Sequence, residues 1–121
     1  MSGMLDEWIR KRQAANERVL SHGTLTTKRF FALDGQAYDE GKLPAKTKEL
    51  MGLVASTVLR CNDCITYHVL QAVKCGADQG EIIESLDVAL VVGGSITIPH
   101  VRHAQAVLQE IEERGGLPAG W

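Results

Sequence analysis

Cys61-Asn62-Asp63-Cys64-Ile65-Thr66-Tyr67-His68 reads as the opening of a helix that carries two thiols and a base. Residues three, four and seven apart lie on one face of a helix, so Cys61, Cys64 and His68 form a stripe. Cβ atoms three apart are roughly 5–6 Å from each other, and a modest adjustment in a first turn gives two sulfurs the geometry of a disulfide. Only the thiolate is a good nucleophile. A helix N-terminus and a histidine one turn after Cys64 both favour it, whereas the charge of Asp63 opposes it unless that residue caps the helix. Two other readings compete: the cysteines as small core residues, and a zinc site in which His100 or His103 joins Cys61, Cys64 and His68. The long gap and the His-x-x-His spacing match no compact zinc knuckle.

Working outward, Asn62 or Asp63 is the expected cap of a helix that ends at Gly76. Upstream, Leu50, Leu53, Val54, Thr57 and Val58 fall on one face of a helix whose first turn takes Pro44 and which runs to about Leu59. Gly41 to Pro44 is a turn. Before it, Leu5 to Leu20 favours a helix closed by Gly23, and a second helix starts after Thr26 or Thr27 and carries Phe30, Phe31, Leu33 and Tyr38, with Gly35 as a weak point. Downstream, Asp78 to Glu81 matches a capping box. The segment Ile82 to Val92 is apolar on nearly every side, which predicts a buried helix needing more cover than its short aliphatic neighbours supply. Subunit contact is therefore expected. Gly93-Gly94 breaks the pattern, and Pro99 opens a last helix that continues to Gly115-Gly116. No strand, repeat or linker is evident, so the prediction is all-α, about six helices.

The 121 residues suit one domain with a real core. Apolar residues make up 45% of the chain but aromatics only 5%, so that core must be built from Ala, Val, Leu and Ile. A net charge of −2 with scattered cations offers no footprint for nucleic acid. The first twenty residues carry no signal-like apolar run and nothing reaches membrane-span length, so the expectation is a cytoplasmic chain. Three cysteines without a secretion signal suggest redox or metal chemistry rather than a disulfide framework.

These features together resemble the AhpD-like alkylhydroperoxidase branch of the carboxymuconolactone decarboxylase superfamily. The resemblance runs from about Leu43 to Glu110, through Leu43-Pro44-Ala45-Lys46-Thr47-Lys48-Glu49-Leu50, the stretch from Arg60 to His68, the segment Cys75 to Glu84, and Val92-Gly93-Gly94. The family signature is a glutamate, eleven intervening residues, then Cys-x-x-Cys-x-x-x-His, and Glu49, Cys61, Cys64 and His68 stand at those offsets. The resemblance implies a single AhpD-like domain over 1–121, with residues 1–43 as an N-terminal helical extension and 44–114 as the core. It also implies a homo-oligomer, a trimer or a hexamer.

By the same resemblance Cys64 attacks a hydroperoxide and becomes a sulfenic acid, Cys61 condenses with it to a disulfide, and Glu49 with His68 forms the proton relay. Spacing alone could not have tied Glu49 to the site. The implied activity is thiol-dependent reduction of alkyl hydroperoxides, with no metal, flavin or nicotinamide. An external dithiol, a lipoyl group or a thioredoxin-like protein, then supplies electrons. One position departs from the pattern: the best-known members have a histidine where this chain has Asp63. That departure keeps two alternatives in view, disulfide exchange with a partner protein and redox sensing, ahead of structural zinc binding. Lactone decarboxylation ranks lower, since family members with that activity generally lack the dithiol.

Other residues receive plainer readings. Cys75 lies roughly 16 Å along the axis from Cys64 and is taken as a small packed residue. Tyr67 is mainly packing, His100 and His103 are hydrogen-bonded or interface residues of the last helix, and His22 is a helix-end residue.

Overall fold

The computed structural model describes residues 3–121. Among them the regular elements are six α-helices: α1 (Met4–His22), α2 (Leu25–Ala37), α3 (Ala45–Val58), α4 (Asn62–Lys74), α5 (Gln79–Gly93) and α6 (Ile98–Arg114), with a short 3-10 turn at Ser95–Thr97. The expectation of an all-α chain of about six helices holds. The chain divides into two compact units, one ending at Glu40 and the other covering Gly41–Trp121. No helix among the described residues is long and apolar enough to cross a membrane.

The first unit contains α1 and α2. Gly23 closes α1, as its sequence suggests. α2 starts earlier than expected: Thr24 is the cap, its hydroxyl accepting from the Thr27 N–H while the Thr27 hydroxyl accepts from the Thr24 N–H at 3.1 Å. Two threonines three apart satisfy each other's donors, so Thr27 lies inside the first turn instead of before it. None of the α2 side chains is buried, and Phe30 and Leu33 are each more than three-fifths exposed.

In the second unit α3 packs against α4 and α5, and α4 against α6. Leu53, Ile65, Val69, Leu70, Ile82, Leu86 and Val107 form its fully buried aliphatic core. The buried stripe of α3 is Glu49, Gly52, Leu53, Ser56 and Thr57: Leu53 and Thr57 of the expected face are buried, but the stripe is rotated so that Leu50, Val54 and Val58 are only half-buried. Polar groups can occupy that stripe because they find partners there, as when Thr57 Oγ1 donates to the Leu53 carbonyl at 2.8 Å. The rotation leaves Met51 55% exposed.

Within the single chain the expected burial of α5 is met on one side only. Ile82, Leu86 and Ala89 are buried, but Val88, Val91 and Val92 stand 53%, 86% and 67% exposed. Each helix presents only one stripe to its neighbours, and the valines occupy the opposite side. The capping box at its start is present: the Glu81 N–H donates to Asp78 Oδ1 at 2.8 Å and the Asp78 N–H to Glu81 Oε1 at 3.0 Å. The second Glu81 oxygen meets Lys46 Nζ at 2.9 Å, linking the first turns of α3 and α5. That backbone N–H first, and Lys46 second, hold the Glu81 carboxyl below its ordinary range.

α3 and α4 are joined with almost no loop. The Cys61 N–H donates to the Ser56 carbonyl at 3.0 Å and the Arg60 N–H to the Thr57 carbonyl at 3.1 Å, the paired bonds of a Schellman ending. Arg60 therefore sits in the left-handed region, with φ 63°, at a position that usually takes glycine. The strain is of order 1–2 kcal/mol, and it allows the residue that completes the end of α3 to begin α4.

Candidate active site

Cys61 is the N-cap of α4, correcting the expectation that Asn62 or Asp63 has that place. Its Sγ accepts from the Cys64 N–H at 3.2 Å. The Schellman ending delivers Cys61 to the cap in extended conformation, with φ −104° and ψ 96°, so the sulfur rather than a neighbouring carboxamide or carboxylate meets the unpaired N–H groups of the first turn. Cys61 and Cys64 are joined as a disulfide across a Cα separation of 5.3 Å. Cys64 is exposed and Cys61 half-buried.

His68 lies one turn further on the same helix and is buried. Its Nδ1–H donates to Glu49 Oε1 at 2.9 Å, and Glu49, on α3, is only 2% exposed. The pair thus spans two helices, with the carboxylate fixing the ring's orientation and tautomer and making Nε2 the basic nitrogen. Gly52 makes the approach possible: a Cβ there would stand 2.6 Å from His68 Cε1 and 2.8 Å from both ring nitrogens. The imidazole lies flat on the bare backbone of α3. Sequence reasoning missed Gly52, although a glycine inside a helix three residues after Glu49, on the same face, is the kind of signal that marks a close approach.

Tyr67 is half-buried and stacks edge-on against His68, with ring centroids 5.1 Å apart, and against Trp121 at 5.9 Å. From α6, His100 Nδ1 lies 2.7 Å from Asn62 Oδ1 and His103 Nε2 lies 2.7 Å from Thr66 Oγ1. These two histidines engage α4 through Asn62 and Thr66. Burial above all, and then the neighbouring His100, hold the His103 pKa below its ordinary value, opposed by a bond to the Asn62 backbone and by Asp63.

Cys75 stands apart from the dithiol, as its position along α4 requires. It is exposed at the end of the helix, contrary to the expectation of a packed residue, because the chain turns away at Gly76. Partial desolvation, and next the negative charge of Glu49, push its thiol pKa up. His22 occupies the last turn of α1, where Nδ1 bonds the Arg18 carbonyl at 3.1 Å.

A helical unit that presents a capped cysteine pair beside a buried glutamate–histidine pair defines a recognisable class. The sequence model of the carboxymuconolactone decarboxylase family matches residues 24–110, and the chain belongs to that family. Two crystal structures of TM1620 from Thermotoga maritima align over 90% of this chain, at 60% identity with a TM-score of 0.88 and 58% with 0.83, covering 96% and 95% of those chains. The second is described as a family member with a suggested part in an antioxidative response. A family protein from Legionella pneumophila shares the fold, with a TM-score of 0.82 at 24% identity over 90% of this chain and 97% of that one. Among curated sequences, uncharacterized protein 4 in the cox locus of Paracoccus denitrificans is 31% identical over 90% of this chain and 98% of its own length.

Proposed function

We propose that the protein is a thiol-dependent oxidoreductase that reduces alkyl hydroperoxides, with Cys64 as nucleophile, Cys61 as resolving thiol, and His68 and Glu49 moving protons. The observation that carries this reading is the bond from the His68 Nδ1–H to the buried carboxylate of Glu49. It turns the histidine that follows Cys64 on the same helical face into an oriented base. His68 Nε2 takes the Cys64 proton, and the thiolate attacks the terminal peroxide oxygen. The O–O bond breaks, the alkoxide takes the proton back as alcohol, and Cys64 is left as sulfenic acid. The Cys61 thiolate then attacks the Cys64 sulfur and expels hydroxide, which leaves as water, closing the disulfide. An external dithiol reopens it by attacking the exposed Cys64 sulfur. Cys61 leaves as a thiolate stabilised by the Cys64 N–H, and the reductant's second thiol releases Cys64 as the reductant becomes a disulfide. The antioxidative role suggested for the Thermotoga relative agrees with this chemistry.

One equivalent of an alkyl hydroperoxide, added to the reduced protein, is expected to convert Cys61 and Cys64 to an intramolecular disulfide, read by mass spectrometry. In Cys61→Ser the product is expected to be a single dimedone adduct on Cys64. An adduct on Cys75 alone, with the dithiol intact, would refute the proposal.

The reading includes a homo-oligomer, a trimer or a hexamer. Met51, Leu59, Val88 and Val92 line an apolar groove of about 480 Å³ between α3 and α5, and Val91 adds to the exposed apolar surface of α5. Such a contiguous face is unusual on a monomer. Sedimentation of the wild type should give a trimer or hexamer mass, and Val88→Asp, at the groove, should shift it towards the protomer. A wild type that sediments as a monomer at micromolar concentration removes this part of the reading.

A further inference from the structure

Asn62, the residue after Cys61, is held at its side chain by His100 of α6 and at its carbonyl by Thr66 of α4, which His103 of α6 in turn engages. Thr66 Oγ1 lies 3.1 Å from the Asn62 carbonyl and donates its only proton there. The 2.7 Å contact with His103 is therefore supplied by the ring, with Nε2–H as donor and the hydroxyl as acceptor. At the side chain, His100 Nδ1–H donates to Asn62 Oδ1. Thr66 is buried and His103 half-buried, so this contact is sheltered from competing water.

We infer that His103 and His100 are positioning residues that hold the first turn of α4 so that the Cys64 N–H stays on Cys61 Sγ, and thereby set the redox equilibrium of the Cys61–Cys64 pair. The inference rests on the redox reading of that pair. The cap bond and the unpaired N–H groups of the first turn stabilise a thiolate more than a disulfide sulfur, since hydrogen bonds to charged acceptors are about twice as strong as neutral ones. Holding that turn in register therefore favours the reduced form. Asp63 and His100 are the charged or titratable groups acting on His103, and burial favours its neutral form, so the His103 contact orders the turn without adding charge to the positive end of the helix.

The test equilibrates the full chain with mixtures of reduced and oxidised dithiothreitol at neutral pH. One dithiothreitol closes to its cyclic disulfide for each Cys61–Cys64 bond reduced to two thiols, and alkylation followed by mass spectrometry counts the products. His103→Ala is expected to shift the equilibrium constant about tenfold towards the protein disulfide, equivalent to ~30 mV for a two-electron couple. His103→Gln, which carries an amide N–H to a similar position, is expected to restore it to within about twofold of wild type. His100→Ala, at a more exposed contact and so tolerated by the fold, shifts it the same way by about threefold. A merely structural role would lower the melting temperature and leave the equilibrium constant unchanged, and that result overturns the inference. So does a His103→Gln constant equal to that of His103→Ala, since the donor would then be irrelevant. A wild-type pair that fails to equilibrate with dithiothreitol at all instead removes the redox reading beneath it.

Discussion

Cys64→Ser is expected to abolish hydroperoxide turnover, lowering it by at least about a thousandfold, as loss of an enzyme nucleophile does elsewhere. A serine hydroxyl ionises far above neutral pH, and neither His68 nor a helix end brings it into range. Oxygen also cannot complete the disulfide that ends the cycle. Because Cys64 is exposed, the substitution removes chemistry while leaving packing in place, and the reduced variant should melt close to reduced wild type. The measurement is peroxide consumption with excess dithiol as reductant. Cys61→Ser makes an informative contrast: with no dithiol added it should consume one equivalent of peroxide and stop at the sulfenic acid, because the second thiol that would close the disulfide is missing. Retention of wild-type turnover by Cys64→Ser would show that another group carries the reaction.

Gly52→Ala is expected to damage both stability and catalysis. The new methyl would stand well inside van der Waals contact of the His68 ring, and a rigid imidazole bonded to Glu49 cannot turn aside as a flexible side-chain end could. Either α3 and α4 move apart, or the ring leaves its place and its bond at 2.9 Å to Glu49 is lost. Overpacking of this kind typically destabilises by about 1–3 kcal/mol, and a carboxylate left buried without its partner adds to the loss. Turnover should fall by about a hundredfold or more, the usual contribution of a positioned proton-transfer group. Thermal melting and peroxide consumption, measured side by side, check both. A variant with wild-type melting and wild-type turnover would show that the ring does not need its seat on Gly52.

The helix count, and most helix ends, could be read from local chemistry. Gly23, the Asp78–Glu81 capping box, Pro99 and Gly115 act on backbone groups within a few residues of themselves, so tertiary context had little to alter. The errors arose where two local solutions compete or where packing chooses between faces. Thr24 rather than a later threonine caps α2 because Thr27 can bond back to it. α3 turns Glu49 inward with Leu53 and Thr57, rotating the stripe away from Leu50, Val54 and Val58, because His68 satisfies the buried carboxylate. α5 leaves three valines exposed, since its neighbours cover only one of its apolar sides.

The candidate site divides in the same way. The spacing of Cys61, Cys64 and His68 placed them on one helical face, because helical geometry is a property of the chain itself. Glu49 was legible only through the family resemblance, and its bond to His68 joins residues 19 apart in sequence. What the tertiary structure alone decided was the seating of His68 on Gly52 and the grip of His100 and His103 on Asn62 and Thr66. Each depends on bringing the backbone or side chains of separate segments within a few ångströms of one another. Local sequence patterns do not encode those distances, whereas the packing of α3 and α6 against α4 sets them.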